Sequence, residues 1–471
     1  MSINSALLAG VSGLVANSSA LAAISDNIAN VNTVAYKRNQ VNFGNVVTSQ
    51  SVKGRYSAGG VQGVTRQFVS QQGLIQSSGN ATDMAISGDG FFVVTDKGAG
   101  LTAADARKFT RQGSFSVDAD GFLKNDAGLY LQGWPALATG GFNINPSDLT
   151  TMNSINVKNL GAAVSATSSI EISANLDKNG VLSTAAGTLV PPVAPTYAPG
   201  TNASMADYAA GAATGTKPDF TIEMNVIDSA GGARKVAMSF LKSAQAPNEW
   251  YAEVYAIPTT DVTGGARPGQ IASGFVRFNQ DGSIDTNTTT GTTLFGAGVP
   301  ATLTLGSSTA AAGVKWATGL GIAGQSLEFD VDKISQYAAT STVNQIASDG
   351  AGVGNIVGIE VDEDGIVSAI YDNSQIRTVA KVGIATFPNP DGLSAVSGNA
   401  YRPSIDAGVM LIKEAGNGGA GKIAASSLES STVDLSAEFT GLIQTQKAYS
   451  ASSKIITTAD QMLEELINIK R

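Results

Sequence analysis

Leu7, Leu14, Leu21 and Ile28 recur every seven residues near the start of the chain. Leu435, Leu442, Tyr449, Ile456 and Leu463 repeat that spacing near its end. An apolar side chain every seventh position keeps one seam of an α-helix turned towards a partner helix. The first ladder predicts a helix over about 3–30, roughly 40 Å long at 1.5 Å per residue. The Asn-rich stretch 27–33 ends it, because Asn side chains compete for local backbone hydrogen bonds. Seams at both ends of a chain with a β-rich middle imply that the terminal helices pair with each other and then pack against neighbouring copies. Two amphipathic helices folded onto a globular core are the simpler alternative.

Between the ladders the period changes from seven to two. Met84–Ile86 and Phe91–Val94 flank the turn 87–90, and a strand over 109–117 follows. Asp118-Ala119-Asp120-Gly121 leads into Phe122-Leu123, and 129–131 leads to Trp134. The same grammar returns at 359–367 around Asp362-Glu363-Asp364-Gly365, followed by 369–371 and 379–384. Strands are also expected at 155–157, 170–176, 220–227, 236–242, 250–256 and 273–278. The run 183–218 is rich in Pro, Ala, Gly and Thr; Pro191, Pro192, Pro195 and Pro199 point to an exposed loop. Segments 37–72 and 405–429 are irregular, with Gly54, Gly59, Gly60 and Gly416–Gly421, and read as extended arms.

The expected class is therefore mainly β with α-helical coiled-coil termini, in nested domains. Residues 1–30 and 430–471 form an inner helix pair, and 31–72 with 405–429 an arm. Residues 73–141 with 359–404 form an inner β domain, and 142–358 an outer β domain, with room for a further small subdomain.

Composition removes several functions. The 471 residues contain no His and no Cys, so the usual proton shuttle, thiol nucleophile and best zinc ligands are missing. That makes an enzyme a poor reading, and no cofactor is expected. Charged residues are 14% of the chain, against about 25% in ordinary globular chains. A net charge of −9 without a basic cluster argues against nucleic acid or an anionic membrane as partner. Residues 1–25 carry no charged side chain. They lack the basic region of a signal peptide, and Ser2, Asn4, Ser5, Ser12, Asn17, Ser18 and Ser19 interrupt a spanning helix. Burial in a tight protein assembly suits such a helix.

The Asp-x-Asp-Gly segments at 118–121 and 362–365 suggest calcium, but the further ligands and closing Glu of a calcium loop are missing. Asp-Gly between alternating apolar runs is a hairpin signal. The Gly-rich run 416–422 lacks the P-loop spacing. The acids at 360–364 and Glu464/Glu465 read as solvated surface.

The segment Ser25-Asp26-Asn27-Ile28-Ala29-Asn30-Val31-Asn32-Thr33-Val34-Ala35-Tyr36-Lys37 resembles the N-terminal signature of the bacterial flagellar axial proteins, the rod and hook subunits. That signature usually carries Gly where this chain has Ala35. Residues 441–454 and their continuation through Leu466 resemble the C-terminal signature. Within the insert, 226–231, 240–242, 248–250, 278–282 and 341–345 resemble the hook subunits. The resemblance implies a self-polymerising subunit of a curved tubular universal joint around an export channel. Leu7, Leu14, Leu21, Ile28, Asn30, Asn32, Leu435, Leu442, Tyr449, Ile456 and Leu463 would form its assembly interface. It implies distal rod, hook cap and hook–filament junction proteins and the flagellar export apparatus as partners. It also implies an extracellular place in the flagellum, reached without a cleaved signal peptide. A distal rod subunit with an unusual insert and a secreted β-rich adhesin remain the alternatives.

Overall fold

The computed structural model describes residues 3–46, 59–102, 104–137, 140–188, 193–285, 294 and 301–469. The chain is mainly β with a long helix at each end, α1 (Ile3–Ala29) and α3 (Leu435–Ile469); among the described residues a short α-helix, α2 (Met205–Ala209), and several 3-10 turns lie between them. It divides into two compact units. The first holds residues 1–161, 358–370 and 376–471, and the second 162–357 with 371–375.

In the first unit, α1 stops where the sequence turns Asn-rich. The Asn30 side chain donates to the Asp26 carbonyl at 2.9 Å and accepts from the Thr33 hydroxyl at 3.1 Å. The segment expected as an irregular arm instead folds into a strand pair, β1 (Asn39–Asn45) and β2 (Val61–Gln67). The pair packs on α1 because α1 offers small side chains there: Ala20 and Ala23 meet Val41. Gly54 lies outside the described residues. The second expected arm is also paired. Leu411–Lys413 joins Ile384–Thr386, Lys422–Ala425 joins Met84–Ser87, and Ser427–Glu429 joins Ile75–Ser77.

The main sheet of this unit runs in the order Ile356–Val361, Ile366–Tyr371, Ile376–Val382, Tyr130–Pro135, Phe91–Thr95, Lys108–Thr110, Ala400–Arg402, Ser394–Val396. Phe91, Val93, Phe109, Trp134, Met152 and Tyr401 form its core. Phe142, Ile144 and Leu149 pack against that core, so the first unit continues to residue 161 and does not end near 141. The strand expected over 109–117 breaks into Lys108–Thr110 and Phe115–Val117. Between them the chain passes so close to Met84 that a Cβ on Gly113 would fall 1.6 Å from the Met84 carbonyl oxygen. Residues 155–157 form no strand of their own, but Ile155 exchanges backbone hydrogen bonds with the strand residues Leu131 and Leu123, and Val157 bonds to Gly121 in a turn. The two Asp-Gly segments are hairpin turns. Asp118 Oδ1 accepts from the Phe122 N–H at 2.8 Å, and Asp362 Oδ1 from the Ile366 N–H at 2.8 Å.

The second unit is built on two four-stranded sheets. One is antiparallel: Phe220–Ile227, Ala233–Lys242, Glu249–Ile257 and Gln270–Arg277. The other runs Ala301–Leu305, Gln325–Tyr337, Ser169–Asp177, Thr342–Ser348, with its two central strands parallel. Strand alternation divides the first sheet's side chains between two apolar clusters. Val236, Met238, Phe240, Trp250, Ala252 and Val254 face the core shared with Ile170, Ile172, Phe329 and Val331. Ala237, Leu241, Tyr251 and Tyr255 face the opposite way and are covered by Ala186, Tyr197, Met205 and Ala206.

Those covering residues belong to the run read as an exposed loop, so that reading is corrected. Its Tyr and Met side chains cap a sheet whose central strand is buried at nearly every position. Glu253 holds it there, accepting from the Tyr197 hydroxyl at 2.8 Å and the Ala206 N–H at 2.9 Å. Arg267 grips Asp207 with two bonds of 2.6 Å. Pro191 and Pro192 lie outside the described residues.

Candidate assembly surface

The terminal helices pair in antiparallel fashion. A Cβ on Gly10 would lie 3.2 Å from Ile456 Cγ1, one on Gly13 3.1 Å from Ser452 Oγ, and one on Gly441 3.5 Å from Ile24 Cδ1. Small residues at these points let the two backbones approach closely.

Of the heptad positions, Ile456 lies in this contact, against Gly10. Leu7, Leu14, Leu21 and Ile28 are half-buried, as are Leu442, Ile456 and Leu463, while Leu435 and Tyr449 are exposed. The deepest positions of α1 are Ala16, Ala20, Ala23 and Asn27. Spaced by four and three, they form a small-residue seam that the ladder of large side chains conceals in the sequence. Asn30 is half-buried at the helix end, and Asn32 is exposed.

Large apolar side chains remain uncovered on both helices after pairing. Leu8, Val11 and Val15 are 68%, 48% and 59% exposed on α1. Phe439, Ile443, Ile455, Met462 and Ile467 are exposed on α3. By length and hydropathy alone, 6–29 is also apolar enough to cross a membrane. Pairing with α3 and with the β1–β2 strands gives it protein partners instead.

A buried polar clamp fixes the foot of the helix pair and accounts for the signature around Asn27, Tyr36 and Lys37. Asn27, fully buried, donates to the Asn39 carbonyl at 2.8 Å and to Glu438 Oε2 at 3.2 Å, and accepts from the Asn39 N–H at 2.9 Å. The Tyr36 hydroxyl donates to Asn27 Oδ1 at 3.3 Å. Arg38 pairs with the other oxygen of Glu438, a buried residue in the first turn of α3. Asp434 caps that helix, accepting from the Ser436 N–H at 2.8 Å.

Beside this, Lys37 and Glu429 form an ion pair of 2.6 Å with both side chains fully buried. Arg111 reaches the second Glu429 oxygen at 3.4 Å, and the Gly73 N–H donates to the first at 2.8 Å. Burial pulls the Lys37 ammonium below the ordinary lysine range, against the upward pull of Glu429. Burial likewise pushes the Tyr36 hydroxyl up. The backbone completes the lock: Ala35 N–H donates to the Glu429 carbonyl at 2.8 Å, and Thr432 N–H to the Tyr36 carbonyl at 3.1 Å.

Glu429, Glu438, Arg38 and Arg111 were not legible as a group, since they lie far apart in sequence and each looks like a solvated charge. Their one local signal is the proximity of Glu438 to an N-cap Asp. The chemistry of the clamp is to fasten the two chain ends together.

Four family descriptions match along the chain: "Flagella basal body rod protein" over 7–37, "Flagellar hook protein FlgE/F/G D1 domain" over 85–175, "Flagellar basal body protein FlaE D2 domain" over 199–351, and "Flagellar basal body rod FlgEFG protein C-terminal" over 424–469. A flagellar hook protein of Helicobacter pylori of known structure aligns at 15% identity over 75% of this chain and all of its own, with a TM-score of 0.39. The flagellar hook protein of Rhizobium meliloti is 29% identical over the whole of both chains. That of Caulobacter vibrioides is 41% identical, again over the whole of both. Identity at that level from end to end, across both helical termini and the insert between them, puts this chain in the flagellar hook protein family.

Proposed function

We propose that the paired terminal helices are the surface through which this hook subunit joins copies of itself into a tube. The observation that carries the reading is the apolar face left open after pairing: Leu8, Val11 and Val15 on α1, and Phe439, Ile443, Ile455 and Met462 on α3. Covering such a face in further copies is favourable by about 25 cal/mol per Å² of apolar area. The heptad residues Leu7, Leu14, Leu21, Ile28, Leu435, Leu442, Tyr449, Ile456 and Leu463 flank it and enter the same interface, with Asn30 and Asn32 at its foot.

The protein works as a structural element of the bacterial flagellum and not as an enzyme. In this reading it is exported to the outside of the cell. There it meets the distal rod at one end of its polymer and the cap and hook–filament junction proteins at the other, and the helices line the channel used by later subunits. Electron microscopy of the purified polymer tests it. Short curved tubes with density for paired helices on the inner wall are expected; straight tubes, or an inner wall without helices, would overturn it.

A further inference from the structure

A second complementary pair of surfaces lies on the sheet of the first unit. Near the Lys108–Thr110 and Ala400–Arg402 strands, a cleft of about 470 Å³ is lined by Ala106, Arg107, Phe109, Leu149, Arg402 and Met410. Its floor is apolar and its charge is basic. Arg107 donates to the Asp105 backbone carbonyl at 3.1 Å, yet its Nε is buried without a hydrogen-bond partner among the described residues. An unpaired guanidinium N–H is costly to bury and calls for an acceptor. Arg402 is exposed and makes no ion pair among the described residues. The carboxylate among the residues lining the cleft, Asp105, is already occupied. It pairs with Lys97 and accepts from the Thr102 N–H at 2.8 Å and hydroxyl at 2.9 Å. Ile405 and Val409, fully and 79% exposed, lie in the chain between the lining residues Pro403 and Met410.

The matching feature is the turn between Ile356–Val361 and Ile366–Tyr371. It projects Glu363 and Asp364, and Glu360 stands just before it on the strand; all three are exposed and without an ion pair among the described residues. Asp362 shapes the turn by accepting the Ile366 N–H, which leaves its neighbours free for an external partner. Four ladder steps along the sheet separate Ile366–Tyr371 from Lys108–Thr110. At about 4.8 Å per step, the acidic turn and the basic cleft lie roughly 19 Å apart along the sheet. A turn and a cleft on different parts of one subunit can meet either reciprocally, in a two-fold dimer, or singly, in a head-to-tail contact. Only the head-to-tail contact propagates into rings or open helices, as a self-polymerising subunit needs.

We propose that the Arg107/Arg402 cleft of each subunit receives the acidic turn at Glu363 and Asp364 of a neighbouring copy of this chain. The proposal rests on the self-assembly reading and adds to it a contact outside the helices. It orients neighbouring subunits, since charge complementarity fixes register and rejects wrong juxtapositions.

The chain contains no cysteine, so one engineered pair gives an unambiguous readout. In the full chain carrying Pro403→Cys and Glu363→Cys, mild oxidation of the polymer should give a ladder of covalent oligomers on a denaturing gel. Each single-cysteine chain should give dimers at most. A polymer of the double variant that remains monomeric on the gel overturns the contact.

Charge exchange is the second arm. Arg402→Glu alone, and Glu363→Lys with Asp364→Lys, should each raise the critical concentration for polymerisation at least tenfold while leaving circular dichroism unchanged. The combined variant should return to within threefold of the parent. Equal defects in the single-face and combined variants, or parent-like assembly of each, overturn the contact while the self-assembly reading stands. Failure of the unmodified chain to polymerise at all would instead sink that underlying reading.

Discussion

The second unit and the terminal helices solve burial in opposite ways. In the second unit Trp250, Trp316, Phe240 and Phe329 are all but inaccessible, and even the reverse face of the antiparallel sheet is covered by the 183–218 run. In the helix pair the buried positions are mostly alanines, and the large side chains stay outside. The first is finished within one chain. The second, in the proposed assembly, is finished only among several copies, with a polar clamp and not an apolar core fixing its foot. The difference separates what folds a subunit from what assembles it.

Deletion of 1–30 should break the comparison most severely. Tube formation should be lost, with α3 deprived of its partner, while the second unit keeps its denaturation midpoint. Tubes from the truncated chain would end the assignment of assembly to the helices. Single charges sharpen the point. Val11→Asp, on the open face, should change monomer stability by no more than about 0.5 kcal/mol yet prevent tubes. Ala20→Asp, on the closed face, should cost the monomer several kcal/mol, of order 2–4, because the carboxylate has no buried partner. Urea titrations of the monomers beside sedimentation of the polymers would separate the two.

Cutting the clamp should have the next largest effect. Glu429→Ala leaves Lys37 buried without its carboxylate and removes one of the anchors of Arg111. Breaking a buried pair from one side costs about 3–5 kcal/mol. The loss should appear in the unfolding of the first unit alone, followed by tryptophan fluorescence at Trp134, with the second unit unmoved. A loss below about 1 kcal/mol would mean that water replaces the missing carboxylate, and that the clamp is not what ties the ends.

The ladders at Leu7–Ile28 and Leu435–Leu463 made the helices and their pairing readable, because a heptad survives any later detail of packing. Strand alternation did the same for Phe220–Ile227 and its neighbours. Three things were hidden. The inward seam of α1 consists of alanines, which carry no hydrophobic pattern strong enough to outweigh leucines beside them. The 183–218 run looks like a loop by composition, and only the otherwise bare face of Tyr251 and Tyr255 explains why it packs. The clamp joins Asn27 to Glu438 and Lys37 to Glu429 across hundreds of residues, and no local rule reports a contact of that range. The 39–45 and 61–67 strands were missed because their apolar residues are sparse, and α1 supplies the surface that orders them.

The closed region makes a pH prediction that the helices do not. Burial holds the Glu253 carboxyl above the ordinary glutamate range, against hydrogen bonds from the Ala206 N–H and Tyr197 hydroxyl that pull it down. Asp219 is raised for the same leading reason. Native Glu253 therefore keeps its proton where the unfolded chain has released it. Its contribution to stability is fully present below the unfolded value, about pH 4.3, and is lost as pH rises through the raised folded value. Asp207 and Asp349 are lowered instead, so their contributions change at more acid pH, outside this window. The denaturation midpoint of the second unit should fall from pH 4.5 to 7, and Glu253→Gln should shrink that fall. An unchanged slope in the variant would assign the pH dependence elsewhere.

The smallest effect concerns the turn that carries the chain from α1 into the clamp. Ala35 has φ of +56° and is 2% exposed, with its N–H committed to the Glu429 carbonyl at 2.8 Å. A left-handed conformation costs an L-residue about 1–2 kcal/mol. Ala35→Gly removes that cost. It also gives up a buried methyl, about 0.8 kcal/mol, and frees the unfolded chain by about 0.5–1 kcal/mol. The terms nearly cancel, so the stability of the first unit should move by less than about 1 kcal/mol and assembly should be unchanged. Ala35→Val keeps the strain and adds a β-branch at positive φ, where such residues are true outliers, and should destabilise the same unit clearly more than the Gly variant. The clamp around Glu429 holds an alanine in a conformation it would not choose, which is expected of a turn determined by what it joins. If Gly costs more than Val, the methyl packing of Ala35 and not its backbone decides the turn.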